Sequence, residues 1–120
     1  MQVFTEEQKA DLIRRLAMLE RRGQIQWAPV DDNFEFRTQI GRFAYQISSR
    51  DKDDFAPYEL AVIDTHTPSL RVPVEVIDTS EYANYNEHLQ ALYKTVKRRA
   101  LGLTRIVDDV FREFDQFDDF

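Results

Sequence analysis

Two runs of alternating apolar and polar residues flank a glycine in the first half of this chain. In residues 33–40 and 43–48 nearly every second residue is large and apolar, which is the period of a β-strand. The apolar positions are Phe34, Phe36 and Ile40 in the first run and Phe43, Tyr45 and Ile47 in the second. Gly41-Arg42 lies between the runs, and glycine first in a two-residue link favours a type II′ turn. The pattern predicts a β-hairpin.

Further alternating runs extend this hairpin into a predicted sheet. Residues 58–64 alternate in the same way and indicate a third strand. Residues 70–77 indicate a fourth, whose apolar face would carry Leu70, Val72, Val74 and Val76. Because proline cannot donate a ladder hydrogen bond, Pro73 indicates that this strand lies at an edge, and Pro29 marks a short edge strand or extended lead-in before the hairpin. Three or four half-apolar strands in succession predict an antiparallel meander with one covered face.

Three helices are predicted, one before the strands and two after them. Thr5 opens a capping-box pattern at the start of the first helix, and Gly23 is its expected stop. Apolar residues at helical spacing predict a second helix that begins within Thr79-Ser80 and ends at Gly102. Thr104 is expected to cap the final helix.

The order of these elements is typical of an α+β fold. We expect a single domain over residues 1–120, with an N-terminal helix, an antiparallel meander of three to four strands, and two C-terminal helices packed on one sheet face. The apolar residues of the final helix expected to face that sheet are Val107, Val110, Phe111 and Phe114. Residues 115–120 form an acidic and aromatic tail that we expect to fray.

The composition argues against disulfide-linked, membrane-spanning and secreted proteins. The 120 residues include no cysteine, which excludes disulfides and thiolate metal sites. No apolar run approaches the length of about 18–20 residues that a membrane span requires. The first residues are polar and acidic, unlike those of a signal peptide. We therefore expect a soluble, cytoplasmic protein.

Charge is distributed unevenly along the chain, whose net charge is −6. Residues 81–107 hold five Lys and Arg against two acids, a net +3, and residues 108–120 hold one against six, a net −5. A basic segment followed directly by an acidic one favours pairing, within the molecule or between copies. The final helix carries four acids against two arginines and would repel phosphates, so we do not expect nucleic-acid binding.

Residues 48–57 form a polar stretch, S-S-R-D-K-D-D-F-A-P, and we compared it with known types of binding loop. Aligned with a calcium loop, it has Phe55, Ala56 and Val62 where an oxygen ligand, a glycine and a glutamate are needed. As an anion cradle it lacks glycine, and its acids outnumber its bases. We interpret it as a solvated loop. Phe55, an apolar residue in a polar run, is the loop residue that we expect to contact another group.

Residues suited to catalysis or metal binding are sparse. The two histidines, His66 and His88, lie on separate elements, whereas a metal site requires three or four converging ligands. Ser48 or Ser49 could be combined with a histidine into a triad, but no motif typical of a nucleophile elbow or an oxyanion loop accompanies them. We expect no enzyme activity, no metal and no cofactor.

Short motifs are spread over most of the chain. They are G-x-I-x-W at 23–27, F-x-T-x-I-G at 36–41, Y-x-I-S-S at 45–49, P-Y-x-L-x-V-x-D at 57–64 and L-Y-K-x-V-K-R-R-A-L at 92–101. Together they resemble small uncharacterised bacterial proteins that are often encoded beside larger proteins of phage-defence or other conflict systems. The resemblance implies an accessory role, and because the motifs are mainly core, turn and cap positions it implies no catalytic residues.

The C-terminal end is the predicted partner-binding site. Its aromatic and acidic residues are Phe114, Phe117, Phe120, Asp115, Asp118 and Asp119. Apolar groups beside acids are typical of a helix that docks into an apolar groove with a basic rim. The receiving surface would belong to a partner protein or to a second copy, which offers arginines such as Arg14 and Arg15.

A basic cluster precedes this end. Lys94, Lys97 and Arg98 share one face of the second helix. They are either the cations that the last turns of a helix favour or a docking patch for an acidic surface.

These patterns favour a small cytoplasmic protein–protein interaction module, an accessory or adaptor subunit of a larger bacterial assembly. Two alternatives stay open. An acidic inhibitor or nucleic-acid mimic would need the carboxylates of residues 31–32, 51–54 and 115–119 on one face. A small-ligand-binding domain would have a pocket lined by Trp27, Tyr45 and Tyr58.

Overall fold

The computed structural model of this chain describes residues 3–66, 73–80, 83–115 and 117. One helix precedes a five-stranded antiparallel sheet and two helices follow it, which confirms the predicted α+β fold. The elements are α1 (Glu6–Arg21), β1 (Ala28–Val30), β2 (Asp32–Ile40), β3 (Phe43–Ser49), β4 (Tyr58–Asp64), β5 (Glu75–Asp78), α2 (Asn86–Ala100) and α3 (Leu103–Asp115).

The strands form one meander in chain order, β1-β2-β3-β4-β5, with every neighbouring pair antiparallel. The predicted count of three to four strands was too low, because β1 pairs with β2 as a true strand rather than leading into the hairpin. Pro29 lies in the edge strand β1, and β5, which follows Pro73, is the other edge, as both prolines indicated.

The predicted hairpin is the pair β2 and β3. Ile40 pairs with Phe43 across Gly41 and Arg42, and of the two link residues only Gly41 has a positive φ, +62°. A positive φ at the first position alone is the sign pattern of the predicted type II′ turn.

A row of apolar side chains crosses the inner face of the sheet. Phe36 pairs with Ile47, Ile47 with Leu60, and Leu60 with Ile77, and all four are fully buried. α2 packs on β2, β3 and β4, and α1 packs beside α2. The two helices contribute Ile13, Leu16, Leu89, Leu92, Tyr93 and Val96 to the core.

α1 and α2 run in the same direction. At their starts, Tyr85 and Lys9 line one shared cleft, and at their ends the Arg99 Nε atom lies 3.2 Å from Oε1 of the buried Glu20. α1 begins with the predicted capping box, in which the Thr5 hydroxyl accepts from the Gln8 N–H at 3.1 Å. The two helices therefore form a parallel layer over one face of the sheet.

α2 begins at Asn86, later than the predicted start within Thr79-Ser80. The Thr79 hydroxyl accepts the N–H of Tyr58 at 2.9 Å, which holds Thr79 against β4. Asp78 accepts from both the N–H and the hydroxyl of Ser80, at 3.1 and 2.6 Å, so Ser80 lies in a turn. Both candidate cap residues are thus engaged in the end of the sheet.

The face assignment predicted for the last strand was wrong. Val76 is exposed, whereas Glu75 and Ile77 point inward and are buried. The inward position of Glu75 is stabilised by two hydrogen bonds, because its Oε2 accepts the N–H groups of Val3 and Phe4 at 2.8 and 3.0 Å. Leu70 and Val72 lie outside the described residues.

α3 begins at Leu103, so Thr104 lies within the helix rather than capping it. Gly102, with φ +67°, separates α3 from α2. The prediction that the apolar residues of α3 face the sheet was wrong, since all of them are exposed. The molecule is accordingly elongated, 62 × 31 × 27 Å. Among the described residues, none of the helices combines the length and apolarity needed to traverse a bilayer.

Candidate partner-binding site

One face of α3 is a continuous apolar surface, which we call the α3 stripe. Its members are Leu103, Ile106, Val107, Val110, Phe111 and Phe114. Their spacings of three and four residues place them on one side of the helix. Their exposed fractions run from 36% at Leu103 to 65% at Phe111, so the described residues cover the stripe only in part.

The remaining faces of α3 are charged. Arg105 and Arg112 lie opposite the stripe, and Arg112 donates to Asp109 at 3.0 Å. Glu113 and Asp115 flank the stripe on its two sides near the end of the helix. Such a helix presents a well-defined apolar face bordered by carboxylates.

The size of the stripe sets it apart from ordinary exposed residues. A phenylalanine can bury about 150–250 Å², so Phe111 and Phe114, at half to two-thirds exposure, each leave on the order of 100 Å² in water. Six members at similar exposure leave on the order of 500 Å², near the upper end of the largest patch of a typical monomer. Patches of that size are commonly interaction sites.

The structure places the predicted C-terminal site residues in two groups. Phe114 and Asp115 are exposed on α3, and Phe117 is exposed one turn later, where its N–H donates to the Phe114 carbonyl at 3.0 Å. The other predicted residues, Asp118, Asp119 and Phe120, lie outside the described residues.

The three residues of the predicted basic cluster on α2 differ in their exposure and contacts. Lys94 and Arg98 are exposed on the helix surface. Lys97 instead donates to Asp54 Oδ1 at 2.6 Å, and its ammonium lies 4.5 Å from the centre of the Phe34 ring. Lys97 therefore makes an ion pair and a cation–π contact within the domain.

Asp54 joins the polar loop of residues 50–57 to α2. Its Oδ1 accepts from the hydroxyl of Tyr93 at 2.7 Å as well as from Lys97, and its carbonyl accepts from the hydroxyl of Tyr58 at 2.7 Å. The loop is exposed, as predicted, and Phe55 is its most exposed large apolar residue, but it is anchored at Asp54.

These contacts change two pKa values. Burial raises the pKa of Asp54, but the Lys97 ammonium and the Tyr93 hydroxyl outweigh it, and the pKa lies below its usual value. Burial, followed by the hydrogen bond to Asp54, raises the pKa of Tyr93 far above its usual value. Asp54 is thus charged and Tyr93 neutral at neutral pH, which suits a structural donor–acceptor pair.

The aromatic residues of the alternative ligand pocket are part of the core or its edge. Tyr58 is buried and its ring packs against Tyr93, with centroids 4.9 Å apart. Trp27 is buried beside Glu20 and Arg99, and Tyr45 packs against the core from the inner face of β3. Their observed roles are those of core aromatics.

Two of the three acidic clusters required for a nucleic-acid mimic carry internal ion pairs. Asp32 contacts Lys52 at 2.9 Å, and Asp54 contacts Lys97 at 2.6 Å. Within the part of the chain that the structure describes, no three His, Asp or Glu side chains form a group that could hold a metal ion.

A groove between α1 and α2 is the feature that sequence reasoning missed. Its volume is about 800 Å³, and its lining includes the small residues Ala10, Ala17, Ala91 and Thr95. We call it the α1–α2 groove. The sequence shows alanines at helical spacing on both helices. They line a groove only because the two helices pack side by side in parallel.

The candidate site therefore consists of the α3 stripe with its flanking carboxylates, and the α1–α2 groove is a second apolar surface on the same chain. Comparison with protein-family models, with curated proteins and with solved structures finds no match to this chain.

Proposed function

We propose that this protein is a protein–protein interaction module that binds its partner through the α3 stripe. The observation that carries the proposal is the exposure of six apolar residues on one face of a 13-residue helix. An amphipathic helix of this kind normally buries its stripe against another surface. Here the remainder of the described chain leaves it exposed.

The chemistry of the stripe indicates the kind of surface it fits. Phe111 and Phe114 are large aromatic anchors, and residues of this type often dominate the energy of an interface. Apolar side chains at spacings of three, four and seven residues are typical of helices that bind in a groove. The flanking acids favour a groove with arginine or lysine on its rim.

An accessory or adaptor role in a larger bacterial assembly, in the cytoplasm, belongs to the same proposal. It is supported by the acidic, cysteine-free composition and by the resemblance of the sequence motifs to accessory proteins of conflict systems. In this role the sheet and α1–α2 layer form a stable body, and α3 makes the contact.

Paired pull-downs test the role of the stripe. The tagged chain is used as bait in host lysate and against a second, differently tagged copy, beside Phe111→Asp/Phe114→Asp. The stripe variant is expected to lose its stoichiometric partner while keeping the circular dichroism spectrum of the parent and a cooperative thermal transition, because both residues are exposed.

The matched control is Arg105→Gln/Arg112→Gln, which changes the charge of α3 by the same −2 on the opposite face. We expect the control to retain the partner. Equal recovery by the stripe variant and the parent would contradict the proposal, as would loss of binding in the control alone.

A further inference from the structure

We propose that the partner of the α3 stripe is a second copy of this chain, whose α1–α2 groove receives the helix, so that two chains exchange α3 reciprocally. The inference rests on the proposed function, since it names the occupant for the same stripe. The α1–α2 groove has no role in the proposed function alone. In the exchange it is the surface that binds the α3 stripe of the other copy.

The groove has the shape that a helix requires. Alanines and a threonine are part of its lining, so the backbone of a docking helix can approach closely where larger side chains would hold it away. Ala91 and Thr95 on α2 are exposed, whereas Ile13 and Leu92 at the base of the groove are buried. An apolar floor is thus accessible from outside the domain.

Along α1 the length of the groove matches the length of the stripe. On α1 the lining residues extend from Glu7 to Arg21, 14 helical steps or about 21 Å. The stripe extends from Leu103 to Phe114, 11 steps or about 17 Å. On α2 the lining extends only from His88 to Thr95, 7 steps or about 10 Å, so about two turns of the helix would lie between both walls and the rest of the stripe along α1.

The charges on the two surfaces are complementary towards the end of the groove at which α1 ends. Arg14 and Arg21 line the α1 side, and the exposed Arg98 lies one turn beyond Thr95 on α2. Glu113 and Asp115 flank the stripe on its two sides, whereas Asp109 is paired with Arg112 on the charged face.

The acids of the groove lie at both of its ends. Near the start of α1 they are Glu7 and Asp11, and Asp11 is paired with Arg14 and Arg15. Near the end of α1 the acid is Glu20, which is buried and paired with Arg99.

Reciprocal exchange brings the buried area close to the range of stable dimers. One docked stripe covers on the order of 500 Å² of the helix and a smaller area of the groove. Two such contacts bury somewhat more than about 1,000 Å², close to the lower end of the about 1,200–2,000 Å² of a typical specific interface. Exchange of identical elements is also a low-cost route to a closed two-fold dimer, because each copy already carries both surfaces.

The oligomeric state is the first test. Sedimentation velocity of the full chain is expected to give a dimer, and Phe111→Asp is expected to weaken dimerisation by about 100-fold, as for an aromatic anchor at an interface centre. Ala91→Glu fills the groove with a charged side chain and is expected to have a similar effect. Gln90→Glu adds the same charge to the neighbouring exposed residue, away from the groove, and is expected to leave the dimer intact.

Mixing the two monomeric variants distinguishes exchange from other modes of pairing. Ala91→Glu keeps an intact stripe and Phe111→Asp keeps an intact groove, so together they can form one of the two contacts. A heterodimer that is weaker than the parent dimer is expected from the mixture, although neither variant pairs with itself.

Cysteine crosslinking shows which chain the helix occupies. The native chain has no cysteine, so Ala91→Cys/Val110→Cys introduces a single pair between groove and stripe. Oxidation is expected to give a covalent dimer, and the control pair Gln90→Cys/Val110→Cys is expected to stay monomeric.

The opposing outcomes are distinct. A full chain that remains monomeric at about 100 μM, where a micromolar interface would be saturated, overturns the exchange; a partner captured through the stripe would still support the proposed function. A dimer lost in Phe111→Asp but kept in Ala91→Glu indicates stripe-to-stripe pairing, which also overturns the exchange alone. A crosslinked monomer means that α3 occupies its own groove, and it overturns both proposals.

Discussion

Asp54 is the residue through which an exposed loop is held against the helical layer. One carboxylate oxygen accepts from Tyr93 and from Lys97, and the backbone carbonyl accepts from Tyr58. The carboxylate is about half exposed, so water screens its ion pair and its contribution to stability is modest. Its distinctive effect is expected in the dependence of stability on pH.

Asp54→Asn tests that dependence. The pKa of Asp54 is lowered in the folded state, so its stabilising contribution is present above the usual value of 3.8 and is lost as pH falls through the lower folded value. The parent is therefore expected to lose more stability than the variant between about pH 4 and pH 2. Urea unfolding at several pH values measures the difference, and parallel curves would show that the pair contributes nothing.

Glu75 joins the start of the chain to the edge of the sheet. Glu75→Ala leaves the N–H groups of Val3 and Phe4 without their acceptor and is expected to cost about 1–3 kcal/mol of unfolding free energy. Hydrogen exchange should accelerate at these two amides. The exposed neighbour Val76→Ala is the control, and equal destabilisation by both changes would contradict the hydrogen-bond explanation.

The hairpin illustrates which elements could be predicted from the sequence. In a half-buried strand the apolar residues of the inner face alternate with polar residues, so the strand can be recognised in the sequence. The two-residue link begins with Gly41, and glycine readily adopts the positive φ that the turn requires at this position. The inner face of the last strand could not be predicted in this way, because the alternation of residues 70–77 puts the exposed Val74 and Val76 on the apolar face. The inward position of Glu75 is explained by its hydrogen bonds to the N–H groups of Val3 and Phe4, which lie more than 70 residues earlier in the chain.

Gly41→Ala is expected to destabilise the protein by about 1 kcal/mol, through the backbone alone. An added Cβ meets nothing within 4 Å, so the positive φ of +62° is the sole source of strain. Thermal unfolding measures the loss. An unchanged or higher melting temperature would show that the turn accommodates alanine in another conformation.

α3 was predicted as an amphipathic helix, but its position was not. Periodicity defines which residues share a face, whereas the direction of the helix after Gly102 decides whether that face reaches the sheet. That direction depends on backbone geometry at one junction. The candidate site was therefore partly predictable: Phe114 and Phe117 were identified as partner-binding residues, whereas Val107, Val110 and Phe111, together with Phe114, were expected to face the sheet.

Removal of α3 tests its independence from the core. A chain that ends at Gly102 is expected to keep its melting temperature within a few degrees of the Phe111→Asp/Phe114→Asp variant, since the core cluster contains no residue of α3. Differential scanning calorimetry on the two proteins makes the comparison without a contribution from association. Unfolding of the shortened chain would show that α3 supports the domain.

At the scale of the whole molecule, the chain consists of a compact α+β body and an amphipathic helix attached at one end. The body carries the α1–α2 groove with arginines on its rim, and the helix carries carboxylates along an apolar stripe. The net charge of −5 over residues 108–120 thus belongs to α3 and the residues after it. The arginines that face it in the proposed contact are Arg21 on α1 and Arg98 on α2.

This division predicts a specific response to salt. Raising NaCl from about 50 to 500 mM shortens the screening length from about 14 to 4 Å and should weaken self-association several-fold, mainly by slowing the encounter of the two chains. Apolar burial persists, so association should be reduced rather than abolished. Sedimentation at both salt concentrations measures the change, and stronger association at high salt would show that charge complementarity plays no part.

The position of the single tryptophan has a practical consequence for such measurements. Trp27 lies buried against Glu20 and Arg99, at the point where α1 and α2 end, and α3 contains neither tryptophan nor tyrosine. Intrinsic fluorescence therefore reports on the body of the molecule and is blind to α3 in isolation. A change in tryptophan emission on self-association, without unfolding, would be an optical signal that originates at the end of the groove.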